Sequence, residues 1–358
     1  MKKFARWILP LSLVALIEVA KALPEMVEHW YSTGIYPFIG RALRLLFGWA
    51  PFSIGDLSVA IIVALVLFGM VKMVKERRKI PLKKALAGLG KKLALACLWA
   101  YSGFYLIWGL NYYRLGSSYY LGITPGTYTT PEVDTLVSCL QHKIAALALD
   151  STEIDKDKTN SRLILSREGE MAYLQASGDY PFMDFKTTSL KPNLLGPLQS
   201  YTGYAGYLFP FSGEANVNFY GPMFTLPFTV CHEMAHQQGF GTESEANLVG
   251  FLAARASSQK SFVYSAYTGV HQYALSELFV RDSLLAKQYI SALPEYYKKD
   301  RRELREFILG HQSIFQPVIN MAYNLYLLGN NQPDGLGSYN YVVAWLIAYG
   351  KKYGWDSI

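Results

Sequence analysis

Apolar and polar positions are spread unevenly along this chain. Residues 57–71, LSVAIIVALVLFGMV, hold no charge, and neither do residues 93–110, LALACLWAYSGFYLIWGL. Crossing a bilayer takes about 20 mostly apolar residues. The first stretch reaches that length with Lys72 snorkelling, the second with Asn111, Tyr112 and Tyr113. Spans are therefore predicted over about 57–74 and 93–112, with Trp108, Tyr112 and Tyr113 in an outer aromatic belt. Between them, Lys72, Lys75, Arg77, Arg78, Lys79, Lys83, Lys84, Lys91 and Lys92 face the single acid Glu76. A basic run could bind nucleic acid, but one set between two apolar spans reads as a cytoplasmic loop, about 75–92.

The N-terminus, MKKFAR before WILPLSLVALI, starts basic and turns apolar. A signal peptide with a small-x-small site at Ala20 and Ala22 is one reading. An uncleaved span over about 7–23, with Glu18 facing its neighbours, is the favoured one. Residues 35–52 carry Arg41 and Arg44 on an apolar background and read as a helix along the interface. Residues 1–113 thus form a membrane anchor. From 114 to 358 no stretch is long and apolar enough to span, which leaves one enzyme-sized domain outside the cytoplasm. Within it, residues 131–149 read as a helix capped by Thr130, and 150–161 as a surface loop. Residues 162–218 suggest strands and turns, and the pattern is helical after Pro227, with breaks near Pro294, Pro317 and Pro333. The fold class is α+β, mainly helical.

Composition supports the membrane reading: 51% of residues are apolar and 17% charged, against a usual charged share of about 25%. Most of the net charge of +7 sits in the one basic run. Cys97, Cys139 and Cys231 are too few and scattered for a disulfide framework or a thiolate metal site. No repeat, Gly-rich phosphate loop or G-x-S-x-G elbow is present.

The chemistry lies in LPFTVCHEMAHQQGFGTESEANLVGF, from Leu226. His232 and His236 are four apart, so on a helix both imidazoles can reach one ion at about 2.0–2.1 Å. Glu233 sits beside them, placed to act as general base on a metal-bound water. Pro227 suits the helix start, and Gly239 can end it in the left-handed conformation. Buried, unpaired histidine and glutamate would be costly, which favours a ligand role on this apolar helix. A third ligand follows in TESEAN. Glu243 and Asn247 share a helix face, whereas Glu245 points away. Glu243 is chosen as ligand, with Asn247 behind it to orient a histidine. Glu245 is the alternative, and a first-turn acid would explain it equally well.

H-E-x-x-H followed by E-x-E-A-N resembles the gluzincin pattern. The wider run PFSGEANVN, GPMFTLPFTVCHEMAHQQGF and ESEANLVGFLAA is similar to domain-of-unknown-function family 3810, bacterial membrane proteins regarded as zinc metallopeptidases. The resemblance covers nearly the whole chain. It implies a zincin-like domain in the bacterial cell membrane, one Zn2+ held by His232, His236 and Glu243, Glu233 as catalytic base, and a peptide or protein substrate. The interval from His236 to Glu243 is short for thermolysin-like enzymes, and Gly239 and Gly241 permit the tight turn it requires. A metzincin would place its third histidine where Thr242 stands.

Upstream, residues 212–220 read as a strand that could pair with an extended substrate through Gly213, Ala215 and Asn216, or as an internal strand. His271, Tyr339 and Tyr341 are oxyanion-stabiliser candidates by residue type. Cys231 reads as a buried packing residue, and His29, His142 and His311 lack partners at a meaningful spacing. Two other functions remain open. One is a site-2-type intramembrane protease using Asp334, the other a membrane protein whose zinc is structural.

Overall fold

The computed structural model of the chain describes residues 2–76, 82–147, 162–185 and 187–358; the expected loop at 150–161 and part of the basic run lie outside them. The principal helices are α1 Lys2–Lys21, α2 Tyr36–Phe47, α3 Ile54–Glu76, α4 Leu82–Ile107, α5 Thr130–Ala146, α6 Arg162–Ala176, α7 Leu226–Gln237, α8 Glu243–Arg255, α9 Lys260–Arg281, α10 Glu295–Gly310, α11 Gln316–Leu328 and α12 Val342–Tyr353. Three short strands, β1 Leu190–Pro192, β2 Gly206–Phe209 and β3 Glu214–Val217, make one sheet of order β1-β3-β2. β1 runs parallel to β3 and β2 antiparallel, in register Leu190↔Ala215 and Leu208↔Ala215. The architecture is mainly helical α+β.

Among the described helices, one stretch, Ile54–Lys72, is long and apolar enough to cross a bilayer. A second qualifies if Arg6–Lys21 and Pro24–Phe47, bent by 101°, count as one. Only 6% of the Ile54–Lys72 window is buried, so its Ile, Val, Leu and Phe side chains point outward. The span expected at 93–112 falls short. α4 stops at Ile107, the chain tightens into a 3-10 turn, Gly109–Tyr113, and Leu110, Asn111 and Tyr112 are buried. Trp108 and Tyr112 are not a membrane belt. They pack with Val27, Tyr31, Tyr36 and Tyr105 in a small core. The interface helix is also two-sided: α2 exposes Phe38, Leu45 and Leu46 but buries Tyr36 and Arg44 against the larger domain.

Two further expectations change. The cap of α5 is Thr129, not Thr130. The Thr129 backbone N–H donates to Glu132 Oε2 at 2.6 Å, closing a capping box with Pro131 in the first turn. Residues 162–176, read as strands, are α6. Its buried positions, Leu165, Gly169, Ala172, Tyr173 and Ala176, follow helical spacing, and most of the Gly, Pro, Ser and Tyr that suggested turns lie after Ala176.

The larger core gathers α5, α6, α7, α8, α9 and α12 around the sheet. α7 lies at its centre, packed on α6, α8, α9 and β3. Eleven of its residues, from Leu226 to Gln237 apart from Thr229, are buried. A helix enclosed on every side can hold polar groups only if each has a partner, and that condition shapes the site.

Candidate metal centre

α7 ends in a Schellman turn. Gly239 takes φ +86°, its N–H donates to the His236 carbonyl at 3.0 Å, and the Phe240 N–H donates to the Ala235 carbonyl at 3.1 Å. A side chain at position 239 would also meet Asn111 Oδ1 at 2.8 Å. Side chains from the N-terminal third of the chain add further donors to the carbonyls of this turn. Trp108 Nε1 donates to His236 O at 3.0 Å, the Tyr36 hydroxyl to Gln237 O at 2.7 Å, and Arg114 to Gly239 O at 3.2 Å. Cations near a helix C-terminus are favourable, and Arg44 and Arg114 both lie there.

The turn carries the chain directly into α8, whose N-cap is Thr242, accepting the Glu245 N–H. Glu243 is the first helical residue and faces back toward α7. Its Oε2 lies 3.2 Å from His232 Nε2 and 3.6 Å from His236 Nε2. One ligand atom from each of these three residues falls within 4.8 Å of the others. The outward-facing ring nitrogens are occupied. His232 Nδ1 pairs with Asn247 Oδ1 at 2.9 Å, and His236 Nδ1 with the Phe240 carbonyl at 2.7 Å. Both partners are acceptors, so both Nδ1 atoms carry the proton and both Nε2 lone pairs aim at Glu243 Oε2. That oxygen has no hydrogen bond of its own. With both imidazoles neutral, two lone pairs and a carboxylate oxygen directed at one point repel each other, and either a proton on an imidazole or a metal cation relieves that repulsion. The donor set of two imidazoles and one carboxylate is one that could hold a divalent metal ion.

Ionisation carries the same signature in the metal-free chain. Burial works against a charged His236, yet Glu243 overrides it and pushes the imidazole up to about 9. Burial would raise the Glu243 carboxyl, but His236 and His232 hold it well below its ordinary value. Glu233 lacks such help. Burial raises its carboxyl to about 7, the two histidines pull it partly back, and Glu243 adds to the rise. Its Oε2 is also without a hydrogen bond.

The other residues singled out from the sequence fall as follows. Glu245 turns away and accepts the Ser117 N–H at 2.6 Å and the Thr242 hydroxyl at 3.0 Å, so it ties the Gly116–Leu121 helix to α8. Gly213, Ala215 and Asn216 offer no free edge, because β3 is paired on both sides. Gly213 is instead where the chain turns against α2, within reach of Leu43 and Arg44. The internal-strand reading applies. His271 is buried beside the Tyr297 hydroxyl at 3.1 Å, and Tyr341 sits at the surface; neither borders the centre. Tyr339 does border it, 3.1 Å from the Tyr323 hydroxyl that donates to Glu243 Oε1 at 2.7 Å. Asp334 is outside the ligand group.

Sequence reasoning missed Gly206. It opens β2, one of the two edge strands of the sheet, and a Cβ there would lie 2.4 Å from Glu233 Oε1 and 2.7 Å from the Asn216 carbonyl. The edge strand thus crosses directly over the Glu233 carboxylate. Two hollows meet at this point, of about 770 and 610 Å³, sharing Tyr204, Gly206, Glu233 and Tyr339. His236 and Glu243 line the first, His232 and Asn247 the second.

The model of a family described as Protein of unknown function (DUF3810) matches residues 31–347, which takes in α2 through the first half of α12. No curated protein and no solved structure matches.

Proposed function

The chain belongs to the DUF3810 family, and we propose that it is a membrane-anchored metallopeptidase that hydrolyses a peptide bond in the cleft over Glu233. The observation that carries this reading is the convergence of His232 Nε2, His236 Nε2 and the orphaned Glu243 Oε2, with a cleft on the open side. Those three side chains would hold one Zn2+. When bound, the ion supplies Lewis acidity, polarising a carbonyl and acidifying water at neutral pH. The ligand group holds three residues among those described, which leaves a corner for solvent, as a catalytic centre requires and a closed structural one does not.

The chain's own groups then divide the work. An extended substrate adds to the free edge of β2, which sets its backbone across the cleft. The Glu233 carboxylate takes the proton of the attacking water and passes it to the departing amine. A carboxyl raised to about 7 by burial holds a proton well enough to deliver it. Tyr339, at the junction of both hollows, is placed to donate a hydrogen bond to the developing oxyanion. Asn247 and the Phe240 carbonyl keep both imidazoles turned toward the site. We take the basic run at 72–92 as cytoplasmic, which requires α4 to return across the bilayer to Trp108 beside α7 and leaves the centre outside a bacterial cell membrane.

Glu233→Gln separates chemistry from metal binding. The variant retains one equivalent of zinc while hydrolysis of a peptide library falls by about 10²–10⁴-fold. Turnover at the wild-type rate would remove Glu233 from the mechanism.

A further inference from the structure

The two hollows differ in kind. The smaller presents Thr225, Thr229, Ser265, Gln272, Asn320 and Asn340. The larger presents Leu195, Leu198, Leu208, Ile319, Ala322 and Tyr326, and at its outer end Asp56. Asp56 belongs to the first turn of α3, the helix that carries the apolar outward-facing stretch. The head of that helix is fastened to the cleft. Asp56 Oδ2 accepts the Leu194 N–H at 2.7 Å, and Oδ1 accepts the Tyr207 hydroxyl. Glu214 of β3, buried and also bonded to Ser212, accepts the N–H groups of Ile54 at 3.2 Å and Gly55 at 3.0 Å. The apolar hollow therefore begins where the candidate span begins.

Its rim has the composition of a surface that meets lipid. Leu195 and Leu198 are 59% and 63% exposed on one side, and Val318, Met321 and Leu325 are 61–62% exposed on the α11 side. Residues 192–213 and 312–333, which supply both sides, contain no Asp, Glu, Lys or Arg. Exposed leucine, valine and methionine in uncharged segments are costly in water and favourable in the interfacial region of a bilayer.

We propose that the apolar hollow opens on the bilayer surface and receives the hydrocarbon of a membrane-tethered polypeptide, which is cut within a few residues of its anchor. The polar stretch of that substrate crosses Gly206 and Glu233 and enters the second hollow. This rests on the peptidase reading above and on α3 as a span. The hydrocarbon is either an acyl chain or an apolar membrane segment; both offer the same chemistry to Leu195 and Leu198.

The test uses full-length Glu233→Gln protein in lipid nanodiscs with three photo-crosslinking decapeptides. One is soluble, one carries an N-terminal palmitoyl chain, and one is fused to an apolar 20-residue segment. At least one tethered probe is expected to crosslink into the cleft, with a yield that falls at least 10-fold when Leu195→Asp and Leu198→Asp are added and the melting temperature is unchanged. Whichever tethered probe responds identifies the anchor. Equal crosslinking with and without the aspartates, for both tethered probes, overturns the proposal. Wild-type hydrolysis of the three peptides is followed in parallel. Cleavage of the soluble peptide as fast as the tethered ones leaves a peptidase standing and overturns this substrate class. Aspartate-sensitive crosslinking with no cleavage of any probe upholds the apolar site and refutes hydrolysis.

Discussion

The two walls of the cleft are built on opposite plans. The back wall, from α7 through the Gly239 turn into α8, is buried throughout: His232, Glu233, His236, Glu243 and Asn247 are each no more than 8% exposed. There both histidine Nδ1 atoms and the carbonyls of the last helical turn have fixed partners. The front wall, made by β2, residues 194–203 and α11, is partly exposed, uncharged and rich in leucine and tyrosine. Under the proposed function the difference follows from what each wall would do. A metal site demands placement to a fraction of an ångström, whereas a substrate surface needs only shape, polarity and one close approach. Gly206 is that approach, where the backbone of the front wall lies against the Glu233 carboxylate of the back.

This contrast breaks most sharply under Gly206→Ala. The new methyl meets the Asn216 backbone carbonyl as well as Glu233, so the strand itself must shift. Peptide turnover is expected to fall by at least 100-fold, at a cost comparable to misplacing a catalytic group by about 1 Å. Zinc content stays at one per chain. Loss of zinc in this variant would show that the walls are not separable. Asn247→Ala is the converse. It frees the His232 ring without touching the front wall, and zinc affinity should fall about 10–100-fold in a chelator competition. Unchanged affinity would mean the histidine is held by packing alone.

A smaller effect sharpens the comparison without mutation. His236, raised to about 9 in the metal-free chain chiefly by Glu243 against the pull of burial, stabilises the fold while protonated. That contribution is complete below its ordinary value of 6.5 and is lost as pH climbs through about 9. Glu243, held below its ordinary 4.5, contributes in the opposite sense, present above that value and lost on acidification. The melting temperature of the metal-free protein should therefore drop between pH 6.5 and 9. Zinc saturation should flatten that drop, because the cation replaces the proton on the back wall. An equal slope with and without zinc would contradict the assignment.

The back wall is also the part that could be read from the sequence, and for the same reason. Helical spacing of His232 and His236, a glycine able to take positive φ, and a carboxylate on the face shared with Asn247 are local rules, and α7 and α8 obey them within a few turns of one another. Where residues depend on distant partners, the local signal misleads. Trp108 sits in an apolar run that reads as the end of a span, and its burial depends on Val27, Tyr31 and Tyr36 and on the His236 carbonyl, 128 residues away. Arg44 reads as an interfacial charge until Gln237 is placed beside it. The helical signal of α6 is weak because its buried face sets one leucine and one tyrosine among Gly169, Ala172 and Ala176, with apolar residues also on the exposed side. Gly206 had a strand signal in GYLF, but nothing local says that this edge crosses a carboxylate.

Zinc content per chain tests the central claim most directly, measured by mass spectrometry on full-length wild type, Glu233→Gln and Glu243→Ala purified with equal zinc exposure. The account predicts one zinc in wild type and in Glu233→Gln, and loss of most of it in Glu243→Ala, since the remaining pair of imidazoles holds the ion far more weakly. A full equivalent of zinc in Glu243→Ala, or none in wild type, would contradict it.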